Sequence, residues 1–217
     1  YHFDGWYLDT DFTEEVQVGD QVHQDMTLYA KWIQDLRYDE DILYFENAIT
    51  EMIETVRTNV VGIRNIRSEG EDSTGSGVVY KKEGNTYYVV TNHHVLRNHD
   101  QLEIVYEKNG LLFEIRPQNI TFVGSDPITD VGLITFTSSE TFYTVDFADS
   151  YQFSLGQFVY AIGSPLGFTY YNSVTSGVLS GLTRFMETGD LNTSTIQHDA
   201  AISPGNSGGA LFNTHGE

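Results

Sequence analysis

Pro204-Gly205-Asn206-Ser207-Gly208-Gly209-Ala210-Leu211 sets one hydroxyl among small residues and runs on into an apolar strand. Glycine lets a backbone turn tightly and lets a ligand come close. A serine in such a setting can present its Oγ while neighbouring backbone N–H groups face the same way. Acyl transfer needs that arrangement: a nucleophile beside donors for the developing oxyanion. Taken alone, G-x-S-G fits an ordinary glycine-rich turn equally well, so its meaning depends on what else the chain supplies.

Two other stretches supply it. Thr91-Asn92-His93-His94-Val95-Leu96 closes a strand-like run, and Asp126-Pro127-Ile128-Thr129-Asp130-Val131-Gly132-Leu133-Ile134 opens one. A single histidine at a strand end is usually a surface or core residue, and a single aspartate before a strand is usually a turn residue. Together with Ser207 they offer a base, an orienting carboxylate and a nucleophile in the order His, Asp, Ser. Among the convergent triads that order belongs to the two-barrel, chymotrypsin-like class.

From Asn59 onward the pattern is nearly all strand. Short apolar runs are expected as strands at 60–63, 76–80, 86–91, 102–106, 111–115, 119–124, 131–136, 158–162, 172–179, 194–198 and 210–213. Asn109-Gly110 is the strongest hairpin turn. Many short strands with frequent turn signals predict an all-β sandwich or a pair of barrels.

The chain has 217 residues, enough to bury a sizeable core. Its 31 Asp and Glu against 11 Lys and Arg give a net charge of −20, spread along the chain. Such a surface repels nucleic acid and anionic membrane. With no cysteine, disulfides, thiolate metal sites and a cysteine nucleophile are excluded. No apolar run approaches the ~18 residues of a membrane span. Tyr1-His2-Phe3-Asp4 carries no signal-peptide pattern, and the abrupt start suggests a window cut from a longer chain.

Residues 1–33 read as a separate small unit. Aromatic strand-like runs at 3–9 and 26–32 flank Val16, Val18 and Val22. Alternating aromatics build a small β core; the other reading is a face on which carbohydrate stacks. Residues 34–40 read as a linker. A helix follows, capped by Asp39, with Glu40 and Asp41 at its positive end. Ile42, Phe45, Ile49, Met52 and Val56 share one face, as a helix docked on the next domain requires.

The blocks Gly75-Ser76-Gly77-Val78, Thr91-Asn92-His93-His94-Val95, Thr129-Asp130-Val131-Gly132-Leu133, Ala161-Ile162-Gly163-Ser164-Pro165-Leu166-Gly167, Val174-Thr175-Ser176-Gly177-Val178, Ile196-Gln197-His198-Asp199-Ala200-Ala201-Ile202 and Gly205 to Leu211 follow one another in a family's order. Residues 59–217 thus resemble the trypsin-like protease domain of the HtrA/DegP family. F-D-G-W-Y-x-D with T-L-Y-A-K-W in residues 1–33 resembles the second half of a Listeria–Bacteroides surface repeat. The family helix before the first strand matches residues 41–57.

The resemblance implies a mainly β, chymotrypsin-like double β-barrel with an N-terminal helix behind a small partial β module. The domains would be 1–33, a linker and docking helix at 34–58, and the protease domain at 59–217. The family pattern T-N-x-H-V selects His94 over His93 as base. Asp130 would orient it, and Ser207 would attack a peptide carbonyl. The backbone N–H groups of Gly205, Asn206 and Ser207 would line the oxyanion hole, those of Gly205 and Ser207 donating. Ala201, Ile202 and Ser203 would form the substrate pocket, with Ala201 at its base. Trypsin has Asp directly before the serine; Asn206 stands there, so ordering of loops 67–75, 163–171 and 183–193 would replace zymogen cleavage. His198 departs from the family's usual threonine, either tuning the pocket or facing solvent.

No cofactor and no metal are implied. Expected partners are unfolded protein or peptide substrates, a homo-oligomer (a trimer by the resemblance) and a cell-surface ligand for the N-terminal repeat; no nucleic acid and no membrane span are expected. The expected location is extracellular or on a bacterial cell surface. The chain stops at Gly216-Glu217 before a family strand that walls the cleft, so this length is expected to be weakly active. Two alternatives stay open: a surface-binding protein with a weak or inactive protease domain, and a serine esterase on the same barrel.

Overall fold

The computed structural model describes residues 1–17, 19, 25–33, 36–188 and 191–217, and of these 36–39, 186–188 and 191–193 by backbone alone. Contacts divide the chain into two compact units, Tyr1–Ile49 and Thr50–Glu217.

In the first unit, β1 (His2–Tyr7) pairs antiparallel with β2 (Tyr29–Ile33). Both strands are shorter than the aromatic runs that predict them. The Asp4 carboxylate meets Lys31 Nζ at 2.7 Å and accepts the Tyr7 hydroxyl at 3.0 Å. Phe3 contacts Trp6 and Trp32 edge-on, each at 5.5 Å between ring centres. Val16 donates its N–H to Trp6 O at 2.8 Å; Val18 and Val22 lie outside the described residues.

Helix α1 (Leu36–Val56) starts earlier than the sequence suggests. Asp39 lies inside it, not ahead of it, and 36–40 are helix where a linker is expected. Leu36 and Arg37 are good helix formers, and the acids 39–41 still sit near the positive helix end. In the second unit Met52, Ile53 and Val56 of α1 pack with Val60, Val78, Val145, Ile162 and Phe212 in one apolar cluster.

Seven strands form the larger sheet: β3 (Val60–Ile66), β4 (Ser73–Glu83), β5 (Thr86–Asn92), β6 (Gln101–Lys108), β7 (Leu111–Ile115), β8 (Ile120–Asp126) and β9 (Val131–Thr137), in the order β7-β6-β3-β4-β5-β9-β8. Side chains alternate with the strand period. In β5, Tyr87, Val89 and Thr91 are buried while their neighbours are half-buried. Inward residues of nearly every strand meet in one core, among them Val61, Ile63, Val79, Val89, Ile104, Ile134 and Phe136, so the sheet curls around it. Burying each such side chain contributes roughly 1.5–3 kcal/mol. Asn109 and Gly110 both take positive φ, 55° and 76°, the geometry of a tight primed turn, and they join β6 to β7.

The second sheet has the order β12-β11-β10-β13, from β10 (Phe158–Gly163), β11 (Ser173–Thr188), β12 (Leu191–His198) and β13 (Ala210–Phe212). It forms a half-barrel. Here the expected 183–193 loop is corrected. Arg184 to Thr188 pair with Thr195 to Leu191, so the stretch is a paired ribbon; Phe185 and the flanking threonines are strand formers that a neighbour can pair. Gly189 and Asp190 lie outside the described residues. Two antiparallel sheets in a mainly β unit are thus as the sequence predicts.

Candidate active site

Strand β5 ends at Asn92, and His93–Leu96 make one helical turn, α2. That turn stands over the β8–β9 turn. Asp130 adopts φ 56°, rare for a residue other than glycine. Three donors hold the turn in shape: the Ile128 N–H, the Thr129 N–H and the Thr129 hydroxyl all reach the Asp126 carboxylate. The Asp130 carbonyl accepts the His93 N–H at 2.9 Å and the Asn92 amide at 2.9 Å.

The Asp130 carboxylate grips His94 twice. Its Oδ1 accepts the His94 backbone N–H at 2.8 Å, and its Oδ2 faces ring Nδ1 at 2.7 Å. An ionised carboxylate only accepts, so Nδ1 carries the proton and the Nε2 lone pair is left to act as a base. The His93 ring turns away, with Nδ1 at 2.8 Å from Ser125 Oγ.

Ser207 reaches this corner through β4. Ser76 donates its N–H to Ser207 O at 2.8 Å and its hydroxyl to Gly205 O at 2.9 Å. Ser76 Oγ accepts the Ser164 N–H at 3.0 Å, and Ser76 O accepts the Thr91 hydroxyl at 2.6 Å. One fully buried serine therefore joins the nucleophile loop, the loop after β10 and the strand leading to His94. Gly75 completes the close fit, since a Cβ there would meet both Val95 and Ser207 O. Ser207 Oγ makes no hydrogen bond to any described group, His94 included; such contacts often tighten only when substrate binds.

The residues expected to line an oxyanion hole divide. The Asn206 N–H is engaged by Ser203 O at 3.0 Å. The Gly205 and Ser207 N–H groups donate to nothing described and are free for a ligand. Gly205 has φ 103°, and a Cβ there would run into Ser164 O. The Pro204 carbonyl is held by the Leu166 N–H at 2.7 Å. In a trans peptide C=O and N–H point to opposite sides, so this bond turns the Gly205 N–H away from Leu166. Asn206 Oδ1 is buried with no partner, close to Gly163.

A cavity of about 540 Å³ opens beside Ser207, walled by Ala161, Ile162, His198, Ile202 and Ser203. Ile202 and Ser203 line it as the sequence suggests, but Ala201 does not. The Ala201 carbonyl accepts the Thr175 hydroxyl at 2.7 Å, which fastens that residue to β11. His198 does not simply face solvent: it is half-buried, lines the cavity, and its Nδ1 is buried without a partner. Sequence reasoning leaves Ser76 and Leu166 unassigned. Their only signals are the glycines beside them, Gly75 and Gly77 around one and Gly167 after the other.

The trypsin-like peptidase domain family matches residues 75–217, and the Listeria-Bacteroides repeat domain matches residues 1–31. The chain is 35% identical over 187 residues to the serine protease Do-like HtrB of Bacillus subtilis (strain 168), across 78% of this chain and 40% of that protein. It is 42% identical over 146 residues to the serine protease Do-like HtrA of Lactobacillus helveticus, across 67% of this chain and 34% of that protein. The solved HtrA-type protease AlgW with tripeptide superposes with a TM-score of 0.64 at 31% identity, over 77% of this chain and 51% of its own. The chain thus spans well under half the length of these curated relatives.

Proposed function

The chain belongs to the trypsin-like peptidase family, and from that membership we propose that it is an HtrA-like serine endopeptidase acting through an acyl-enzyme. Ser207 Oγ attacks a peptide carbonyl, His94 Nε2 takes its proton and returns it to the leaving amine, and Asp130 holds the imidazole in the competent tautomer. The N–H groups of Gly205 and Ser207 hold the oxyanion. The observation that carries this reading is the double grip of Asp130 on His94, at 2.8 and 2.7 Å, with Ser207 latched to the adjoining strand. Substrates are unfolded or misfolded proteins, whose exposed apolar side chains suit an apolar pocket. The protein is secreted or held at a bacterial surface, residues 1–33 form a module apart from a protease domain at 59–217, and the protease domains associate with copies of themselves. Casein digestion by the wild type and its loss in Ser207→Ala test the reading.

A second reading has its own observation. Phe3 touches both Trp6 and Trp32, and all three side chains stay exposed in the first unit. They suit a surface-binding role with the protease domain weak or silent, and a casein-inert wild type favours it.

A further inference from the structure

The loop that carries Leu166 is fastened at its far end by residues with no place in the mechanism above. Tyr171 is half-buried, and its hydroxyl lies 3.0 Å from Val60 O and 3.3 Å from Val105 O, on the paired strands β3 and β6. Burial holds the phenol's pKa well above the usual range, so it stays a donor. Asn172, 8% exposed, takes a left-handed φ of 50°. Its amide donates to Arg57 O at 2.7 Å and to Val60 O at 3.2 Å, and its N–H reaches Ser164 Oγ at 3.5 Å. Phe168 lies on Gly62 of β3, where a Cβ would overlap its ring.

The near end of the same loop touches the site. Ser164 donates to Ser76 Oγ, which donates to Gly205 O; Leu166 donates to Pro204 O. A short segment therefore runs from a core strand, whose Val60, Val61 and Ile63 are fully buried, to the one peptide whose orientation makes or unmakes the Gly205 donor. If the loop slackens, Pro204 O loses its donor and that peptide is free to turn its carbonyl into the hole, where it would repel an oxyanion.

We propose that Tyr171 and Asn172 are positioning residues for the oxyanion hole, bracing residues 164–172 on β3 so that Leu166 keeps the Gly205 N–H facing the substrate. This rests on the protease reading above. Neither residue touches substrate, so their loss falls on transition-state stabilisation and spares substrate binding.

The test uses Tyr171→Phe and Asn172→Asp in the full chain. The first keeps the ring and removes the hydroxyl. The second tolerates the left-handed backbone but turns an acceptor toward two carbonyls. Three quantities are compared with wild type: kcat, KM, and the inhibition constant of a peptide boronate, whose tetrahedral adduct occupies the hole. The expected result is a tenfold or larger fall in kcat and in boronate affinity, with KM within twofold. Wild-type boronate affinity in folded Tyr171→Phe overturns the inference, as does an equal loss in KM. If Asn172→Asp unfolds, Tyr171→Phe decides; collapse of both overturns positioning in favour of a purely structural role. A wild type that ignores the boronate and leaves casein intact is a different failure: it removes the protease reading and the inference with it.

Discussion

The Leu166 N–H donates to Pro204 O at 2.7 Å, so a residue 38 positions upstream of Pro204 sets the direction of the Gly205 N–H, the proposed oxyanion donor. Leu166 holds φ 55° and Gly167 φ 90°, a turn that aims this N–H inward. Gly205→Ala puts a Cβ into Ser164 O at a φ of 103° and should displace the donor. Loss of one such donor typically lowers the rate ~10²–10³-fold, so kcat should fall by that order with KM little changed. Leu166→Gly keeps both the φ and the N–H and should retain most activity. Steady-state kinetics on a peptide substrate check both.

Ser76→Ala tests the buried hub. It leaves Gly205 O without a donor and the Ser164 N–H without an acceptor, in a site closed to water. Each orphaned buried group costs about 1–3 kcal/mol. The melting temperature should therefore drop and kcat should fall together. An unchanged melting temperature would show that water or a shifted neighbour replaces the hydroxyl.

The two adjacent histidines should separate cleanly. His94→Ala removes the base and should cost activity on the scale of the whole triad, as much as ~10⁶ in kcat. His93→Ala removes only the contact to Ser125 Oγ; its hold on Asp130 is through its backbone N–H and survives. That variant should lose less than about tenfold, since one ordinary hydrogen bond contributes only about 0.5–1.5 kcal/mol. Assays of the two single variants decide, and a dead His93→Ala beside an active His94→Ala would reverse the assignment.

Asp126 makes the turn under Asp130 sensitive to acid. Hydrogen bonds, first from the Ile128 N–H and then from the Thr129 hydroxyl, hold its pKa below the ordinary aspartate value. A depressed carboxylate contributes stability that is whole above the unfolded pKa of ~3.9 and is lost as pH falls through the lower folded value. Urea unfolding of wild type and Asp126→Asn should therefore differ at pH 7 and converge as pH falls through the depressed folded value. A gap independent of pH would assign the turn's stability to other groups.

Specificity follows from the walls of the cavity. Ala161, Ile162 and Ile202 are apolar, and no carboxylate lines the space. A buried Lys or Arg side chain would find no opposite charge there, at high cost. Cuts should follow Val, Ala or Leu, with shallow discrimination because one methylene changes binding by only ~1–3 kcal/mol. Mass-spectrometric mapping of cuts in a denatured protein checks this; a majority after Lys or Arg would contradict it.

Sequence was most informative where a local pattern carries the physics. Short apolar runs placed the strands around Tyr87 and Val89, Asn109-Gly110 marked its hairpin, and the family resemblance, through T-N-x-H-V, picked His94, whose ring the Asp130 carboxylate contacts. It failed where long-range pairing decides. Residues 183–193 look like a polar loop until Arg184 to Thr188 are seen paired with Thr195 to Leu191. Counting back from Ser207 reached Ala201, yet the Thr175 hydroxyl fastens that residue to β11 and Ile202 faces the cavity. Ser76 and Tyr171 act on carbonyls far away in sequence, and no local spacing announces such partners.

The central claim is that His94 activates Ser207, and active-site labelling tests it most directly. A fluorophosphonate probe is added to wild type, His94→Ala and Ser207→Ala, and the adduct is located by tandem mass spectrometry. The account predicts one adduct, on Ser207, in the wild type and none in either variant. No adduct on Ser207, or equal labelling of His94→Ala, would contradict it.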